Sequence, residues 1–108
     1  MNSLEKITYY SELYDLYKNL LTNKQRLYFE MYYFDDLSLK EIADNVKVSR
    51  NAIHLNITNT IQHLIAYEAK LSLYLKIKAI TNYLPNGSGK PIPKKELVAK
   101  INEIFKEN

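Results

Sequence analysis

Along the first 84 residues, apolar positions recur at steps of three and four, the period of helices packed on one side. From about Ser3 to Leu21, the residues Ile7, Tyr10, Tyr14, Tyr17 and Leu21 (or Leu20) make one apolar stripe. A second segment opens at Thr22, which stands in capping-box spacing with Gln25. It carries Leu27, Met31 and Phe34 inward and ends near Asp35-Asp36. Ser38 and Glu41 repeat the box ahead of a short third segment, whose expected buried face is Leu39, Ile42, Ala43 and Val46. After Lys47-Val48, Ser49 can cap a fourth segment that meets no breaker before Pro85, so it is either one long rod or two helices with a bend. A fifth starts at Pro93, a residue suited to a first helical turn, and sets Leu97, Ile101, Ile104 and Phe105 on one face.

Both glycines and all three prolines fall within residues 85–93, which argues for helices upstream and against hairpins. The pattern predicts an all-α protein: a three-to-four-helix bundle with a helix-turn-helix, a long apolar-striped helix after it, and a short C-terminal helix. Residues 1–84 form the expected helical domain, 85–93 a linker, and 94–108 a basic amphipathic helix.

Residues 38–57, S-L-K-E-I-A-D-N-V-K-V-S-R-N-A-I-H-L-N-I, are the most informative. Two capped helices joined by a tight link with an apolar residue make a helix-turn-helix, which extends here over 38–63. Ala43 is small where the second helix would cross closely, Ile42, Val46 and Val48 would fill the angle, and Ile53 and Ile57 would return into the same core. With Ser49 as cap, the first-turn N–H groups of the second helix point outward, as contact with a phosphate requires. The candidate nucleic-acid-binding residues are therefore Ser49, Arg50, Asn51, His54, Asn56 and Thr58, with Lys47 and Lys40. Asn and Gln can pair bidentately with adenine in the major groove. The positions expected to be exposed are Asn51, His54, Asn56, Thr58, Asn59, Thr60, Gln62 and His63. Between Ser49 and Leu64, Arg50 is the single permanent cation, so phosphate neutralisation by this helix alone is thin. Lysine occupies position 47, where such motifs commonly have glycine for a left-handed turn.

The stretch N-K-Q-R-L-Y-F-E-M-Y-Y-F-D-D-L-S-L-K-E-I-A-D-N-V-K-V-S-R-N-A-I resembles region 4 of bacterial sigma factors, in which a helix precedes the promoter-reading helix-turn-helix. More narrowly, L-L-T-N-K-Q, Y-Y-F-D-D-L-S-L-K-E-I-A-D and V-S-R-N-A-I, followed by Y-E-A-K-L, are similar in content and order to the YlxM-like family of small helix-turn-helix proteins. That similarity covers roughly residues 8–80, with a weaker match over 81–108. It implies an all-helical, dimeric, cytoplasmic protein of low-G+C bacteria, encoded beside the signal recognition particle (SRP) GTPase or its receptor. A regulatory role in that targeting pathway is implied by the family's gene neighbourhood.

Beyond the motif, Ile57, Ile61, Leu64, Leu71 and Leu75 continue the apolar stripe with Tyr67 and Tyr74 alongside. Two readings are open. The stripe packs on the first helix of the same chain, or residues 64–80 join helix-one tyrosines in a dimer interface made of Tyr10, Tyr14, Tyr17, Leu64, Tyr67, Leu71, Tyr74 and Leu75. An unpartnered stripe of this length would expose a large apolar patch, and a two-fold dimer would present two recognition helices.

Composition narrows the functional classes. Hydrophobic residues at 46% and charged residues at 25% are ordinary globular values. The chain has no cysteine, which removes disulfides, zinc ribbons and thiol nucleophiles. His54 and His63 have no acidic pair at ligand spacing, so neither a metal nor another cofactor is expected. No uncharged apolar run approaches the ~18 residues of a membrane span, and the N-terminus has no signal-peptide pattern, so cytoplasmic location without membrane insertion is expected. Ile, Lys, Asn and Tyr number 11, 13, 11 and 10; all have A/T-rich codons, so the tyrosines are not evidence of a base-stacking surface.

The net charge of +3 is uneven, with −2 over residues 1–37, 0 over 38–69 and +5 over 70–108. Lys90, Lys94, Lys95, Lys100 and Lys106 make either a solvated basic face or an RNA- or phosphate-contacting arm. The run Asn86-Gly87-Ser88-Gly89-Lys90 is not a phosphate-binding loop, because Leu84 stands where its first glycine belongs and Pro91 follows the lysine.

No Ser, His and carboxylate set or flanked carboxylate pair emerges, so a non-enzyme without a small-molecule substrate is expected. The leading reading is a homodimeric DNA-binding regulator that takes part in the SRP pathway. The alternative is a protein- or RNA-interaction regulator of the SRP GTPase or its receptor, in which the helix-turn-helix no longer binds duplex. Arg50→Ala would damage the first activity, and truncation after Leu84 the second.

Overall fold

In the computed structural model the described residues are 1–81 and 93–106, and all their regular structure is helical. The order is α1 (Ser3–Tyr17), a 3-10 turn (Lys18–Leu20), α2 (Asn23–Tyr33), α3 (Leu39–Val46), α4 (Arg50–Leu71), α5 (Leu73–Thr81) and α6 (Lys94–Lys106). The helix starts are set locally. Thr22 Oγ1 accepts from the Gln25 amide at 3.1 Å while Gln25 Oε1 accepts from the Thr22 amide at 3.0 Å. Ser38 and Glu41 make the same reciprocal pair, both bonds 3.0 Å. The Ser38 amide and then its side chain hold the Glu41 carboxyl below the usual carboxylate range.

The 22-residue α4 is about 33 Å long and serves as the spine. Its N-terminal half closes one core, where Ile53 and Ile57 meet Tyr28, Met31, Ile42 and Ala43. Its C-terminal half closes another, where Leu64 meets Leu13, Tyr14, Leu16, Tyr17, Leu21, Phe29 and Ile77. Tyr33 and Ile61 pack against both. Tyr14 stacks on Phe29 with ring centroids 4.5 Å apart and donates to Glu30.

Several expected inward positions lie outside the cores. Ile7, Leu27, Phe34 and Val48 are exposed, and Leu13, Leu16, Tyr28 and Phe29 are buried instead. The reason for α1 is that α4, α5 and α6 all pack on it, so its buried face is wider than one stripe and rotated from the one that Ile7 suggests. Of the residues expected at a dimer interface, Tyr14, Tyr17 and Leu64 are fully inside the second core and cannot meet another chain from there. Tyr10, Tyr67 and Tyr74 are half-buried; Leu71 and Leu75 are exposed.

The fourth segment is bent, without glycine or proline. Ser72 takes a left-handed conformation (φ 53°, ψ 33°), and its amide donates to the Glu68 carbonyl at 2.8 Å. The α5 amides that the bend frees are taken by side chains from the rest of the bundle. Leu73 N donates to the Tyr17 hydroxyl at 3.2 Å, Tyr74 N to Glu68 Oε1 at 3.0 Å and Leu75 N to Glu68 Oε2 at 3.4 Å. Tyr17 in turn donates to Glu68 Oε1 at 2.6 Å. A buried carboxylate is costly unless its lone pairs are filled, and here two amides and a phenol fill them.

The C-terminal helix docks on α1 and is not a free arm. Leu97, Val98, Ile101 and Phe105 pack on the second core, Ile104 faces out, and Asn102 Nδ2 donates to the Asp15 carbonyl at 2.8 Å. Lys94 pairs with Glu12 at 2.5 Å. Apart from Pro93 the expected linker lies outside the described residues, as do Lys90 and the glycine-containing run 86–90. Truncation after Leu84 would strip apolar cover from α1, so it cannot serve as a clean test of the lysines.

Tyr17→Phe is expected to cost about 1.5–3 kcal/mol, because it removes a donor to a carboxylate and an acceptor from the Leu73 amide; a urea midpoint unchanged from the parent chain would refute this. Burial is the main cause that raises the phenols of Tyr14, Tyr17 and Tyr33, the last up to about 12. Their neutral forms are favoured in the fold, so this stabilisation is full below the unfolded value of about 10 and is lost as pH rises through the folded values. Tyrosinate absorbance is therefore expected to rise in two phases, the later one together with loss of helical circular dichroism.

Candidate nucleic-acid interface

The helix-turn-helix is built on the first core. Ile42 and Ala43 of α3 are buried against Ile53 and Ile57 of α4, with Leu39 and Val46 half-buried at the edge. Lys47 ends α3 in the left-handed region, at φ 60° and ψ 46°, where glycine is the low-cost residue. The Lys47 amide donates to the Ala43 carbonyl, and so does the Val48 amide at 3.2 Å, so the last turn of α3 is closed despite the missing glycine. Val48, expected inside the angle, is exposed; the left-handed turn at Lys47 directs the link outward.

Ser49 caps α4 as expected, its Oγ accepting from the Ala52 amide at 3.0 Å. The Ile53 amide closes the first helical turn on the Ser49 carbonyl at 3.2 Å. The Arg50 and Asn51 amides precede the first possible intrahelical partners and point along the helix axis, at its positive end. Ser49, Arg50, Asn51 and His54 are exposed, and so are Lys47 in the link and Lys40 in the first turn of α3. Six of the eight expected contact residues are thus solvent-facing, five of them in the link and the first turns of α4.

The other two are not equivalent to them. Thr58 is half-buried. Asn56 turns inward, and its buried Oδ1 accepts no hydrogen bond among the described residues, which suits neither base reading nor phosphate contact. Thr60, expected at the surface, is fully buried and donates back to the Asn56 carbonyl at 2.9 Å. These misplacements have one cause. Residues 53, 56/57, 60 and 64 share a face at helical spacing, and the polar members of that face are carried inward with its isoleucines and leucine. His63 is exposed, but its Nδ1 accepts from the Gln25 side-chain Nε2 at 2.9 Å, tying α4 to the start of α2.

Leu55 is the residue that the polar pattern hid. It is 61% exposed, in the middle of the outward face between Asn51 and Gln62. The signal was available: Leu55 falls off the 53/57/60/64 register and so cannot enter the core. Among the described residues no group of three or more His, Cys, Asp or Glu could hold a metal ion, and no helix is long and apolar enough to cross a membrane.

Two packed helices with a capped, outward-facing second helix, supported by α1 and α2 from behind, define a small helix-turn-helix protein. Comparison with known proteins makes the assignment specific. Residues 4–104 match the UPF0122 family model, described as "Putative helix-turn-helix protein, YlxM / p13 like". The chain is 38% identical to a UPF0122 protein of Mycoplasma capricolum subsp. capricolum over 104 residues, 96% of this chain and 92% of the relative. It is 41% identical to a UPF0122 protein of Bacillus pumilus over 106 residues, 98% of this chain and 84% of the relative. A UPF0122 protein of Bacillus cereus is 41% identical over 104 residues, with 96% and 82% covered. The chain belongs to the UPF0122 family. The match reaches residue 104, within α6, well past the roughly 8–80 over which the motifs alone were legible.

Lys47→Gly is expected to relieve left-handed strain of about 1 kcal/mol and raise the thermal midpoint by roughly 5 °C. An equal or lower midpoint in differential scanning calorimetry would mean that Lys47 carries no strain.

Proposed function

We propose that this protein is a non-enzymatic, cytoplasmic regulator that binds duplex DNA by lowering the first turns of α4 into the major groove. In this reading Arg50, Lys47 and Lys40 contact phosphates, Ser49 and the first-turn amides fix register, and Asn51 and His54 reach base edges. The supporting observation is the exposure of Lys47, Ser49, Arg50, Asn51 and His54 at the start of a capped helix whose opposite face is locked into the core, with Lys40 exposed on the preceding helix. Membership of a helix-turn-helix family supports the same reading. The chain acts as a homodimer, with Leu71 and Leu75 as the apolar groups still available to a second copy; sedimentation equilibrium giving only the 12.7 kDa monomer at micromolar concentration would remove this part.

A second reading draws on the zero net charge of residues 38–69 against +5 over 70–108. In it, the exposed lysines of the C-terminal third, Lys95 and Lys100 among them, engage the SRP GTPase, its receptor or its RNA, and duplex affinity is secondary. Neutralising these lysines separates the readings better than truncation, since α6 covers α1.

Fluorescence anisotropy on labelled duplex is the test. Three phosphate contacts predict a slope of log K against log salt of about −3 per protomer, and Arg50→Ala is expected to reduce it by about one with circular dichroism unchanged. Saturable binding with a flat salt response, or an Arg50→Ala variant identical to the parent, would overturn the first reading. Loss of binding in a Lys95→Ala/Lys100→Ala variant, with Arg50→Ala silent, would support the second.

A further inference from the structure

The outward face of α4 has a composition that selects among duplexes. Asn51, Leu55, Thr58 and Gln62 follow one another at steps of four, three and four, so they lie along one stripe of the helix, flanked by His54 and Asn59. A single exposed leucine on a protein surface is ordinary. Leu55 differs in its position, at 61% exposure on the second turn of the helix that would enter the groove, with amide side chains on either side. The register that buries Ile53, Ile57 and Leu64 leaves Leu55 no place in the core.

Each residue type on this stripe has a preferred base edge. Asn and Gln pair bidentately with adenine N6 and N7, and apolar side chains contact the C5-methyl group of thymine. Guanine is read most often by Arg or Lys through O6 and N7. No Arg or Lys stands on the stripe; Arg50 and Lys47 sit at its N-terminal end, in the first turn and the preceding link, where the phosphate backbone would pass.

We propose that the duplex taken by this face is A·T-rich, with Leu55 seated against thymine methyl groups and Asn51 on an adenine edge. The proposal rests on the reading of α4 as the groove-entering helix. It makes Leu55 a specificity-determining residue: in the free protein its side chain is in water, and in the complex it and the methyl group are both removed from water. One methyl group so buried corresponds to about a fourfold gain in affinity.

The test measures anisotropy of the full chain at low salt with three duplexes of equal length. One contains A·T pairs only, one has every thymine of that duplex replaced by uracil, and one contains G·C pairs only. Uracil lacks the methyl group and keeps the same hydrogen-bonding edges. The parent chain is expected to bind the thymine duplex at least about fourfold more tightly than the uracil duplex, and the G·C duplex more weakly still. Leu55→Ala, a change at an exposed position, is expected to bind the thymine and uracil duplexes equally. Equal binding of thymine and uracil duplexes by the parent chain would overturn the proposal while leaving duplex binding intact. So would a methyl preference that survives Leu55→Ala, or a G·C duplex bound as tightly as the A·T one. Binding to none of the three would overturn the groove-entering helix itself, and the proposal with it.

Discussion

The carboxylate of Glu68, buried beneath the first turn of α5, is the contact on which the arrangement turns. Nothing in residues 50–81 stops a helix by its own chemistry, since neither glycine nor proline occurs there. The bend at Ser72 needs a non-glycine residue in the left-handed region and leaves the α5 amides open. Glu68 takes two of those amides, Tyr17 takes a third, and the phenol donates back to the carboxylate. The bend thus occurs where a residue from α1 can complete it. Once made, it returns α5 onto α1, brings Ile77 into the second core, and leaves α1 ready to be covered by α6. Because α4 runs through both cores, closure at its C-terminal half also anchors the end that carries the helix-turn-helix.

That anchoring explains how a motif of modest charge can present a defined face. The first core holds α3 and α4 together through Ile42, Ala43, Ile53 and Ile57. With this face fixed, Ser49, Arg50, Asn51 and His54 are turned to the solvent, and Asn56 and Thr60 are carried out of the surface. The left-handed residue between the helices is a lysine, so a position usually given to conformational freedom holds a cation beside the helix N-terminus. Strain at a single backbone position is tolerated when the surrounding structure over-determines it, and the two amides closing on the Ala43 carbonyl provide that here.

The basic C-terminal third divides into groups with different duties. Lys94 is drawn into the fold by Glu12 and lies 5.8 Å from the Tyr74 ring centroid, so its charge is partly spent on docking α6. Lys95, Lys100 and Lys106 remain exposed on a helix whose other face closes the second core. A segment that looks like a detachable arm from its charge is thus part of the packed structure. The extent of the family match, to residue 104, agrees with α6 being a regular part of these proteins.

Much of the local architecture was decided by the sequence alone. The capping boxes at Thr22 and Ser38, the cap at Ser49, the short α3, the left-handed residue at Lys47 and the α6 start immediately after Pro93 follow from side chains bonding to backbone groups two or three residues away, or from dihedral limits. The exposed cluster of Ser49, Arg50, Asn51 and His54 was legible for the same reason. What lies across the chain was not. Which side of α1 is buried depends on three helices packing there together, and periodicity reports only that one side is. The fate of Tyr14, Tyr17 and Leu64, inside one chain or between two, could not be separated from the stripe itself. Tertiary structure alone decided the break at Ser72, because the groups that stabilise it are 51 and 56 residues apart in sequence, Tyr17 with Glu68 and Tyr17 with Leu73.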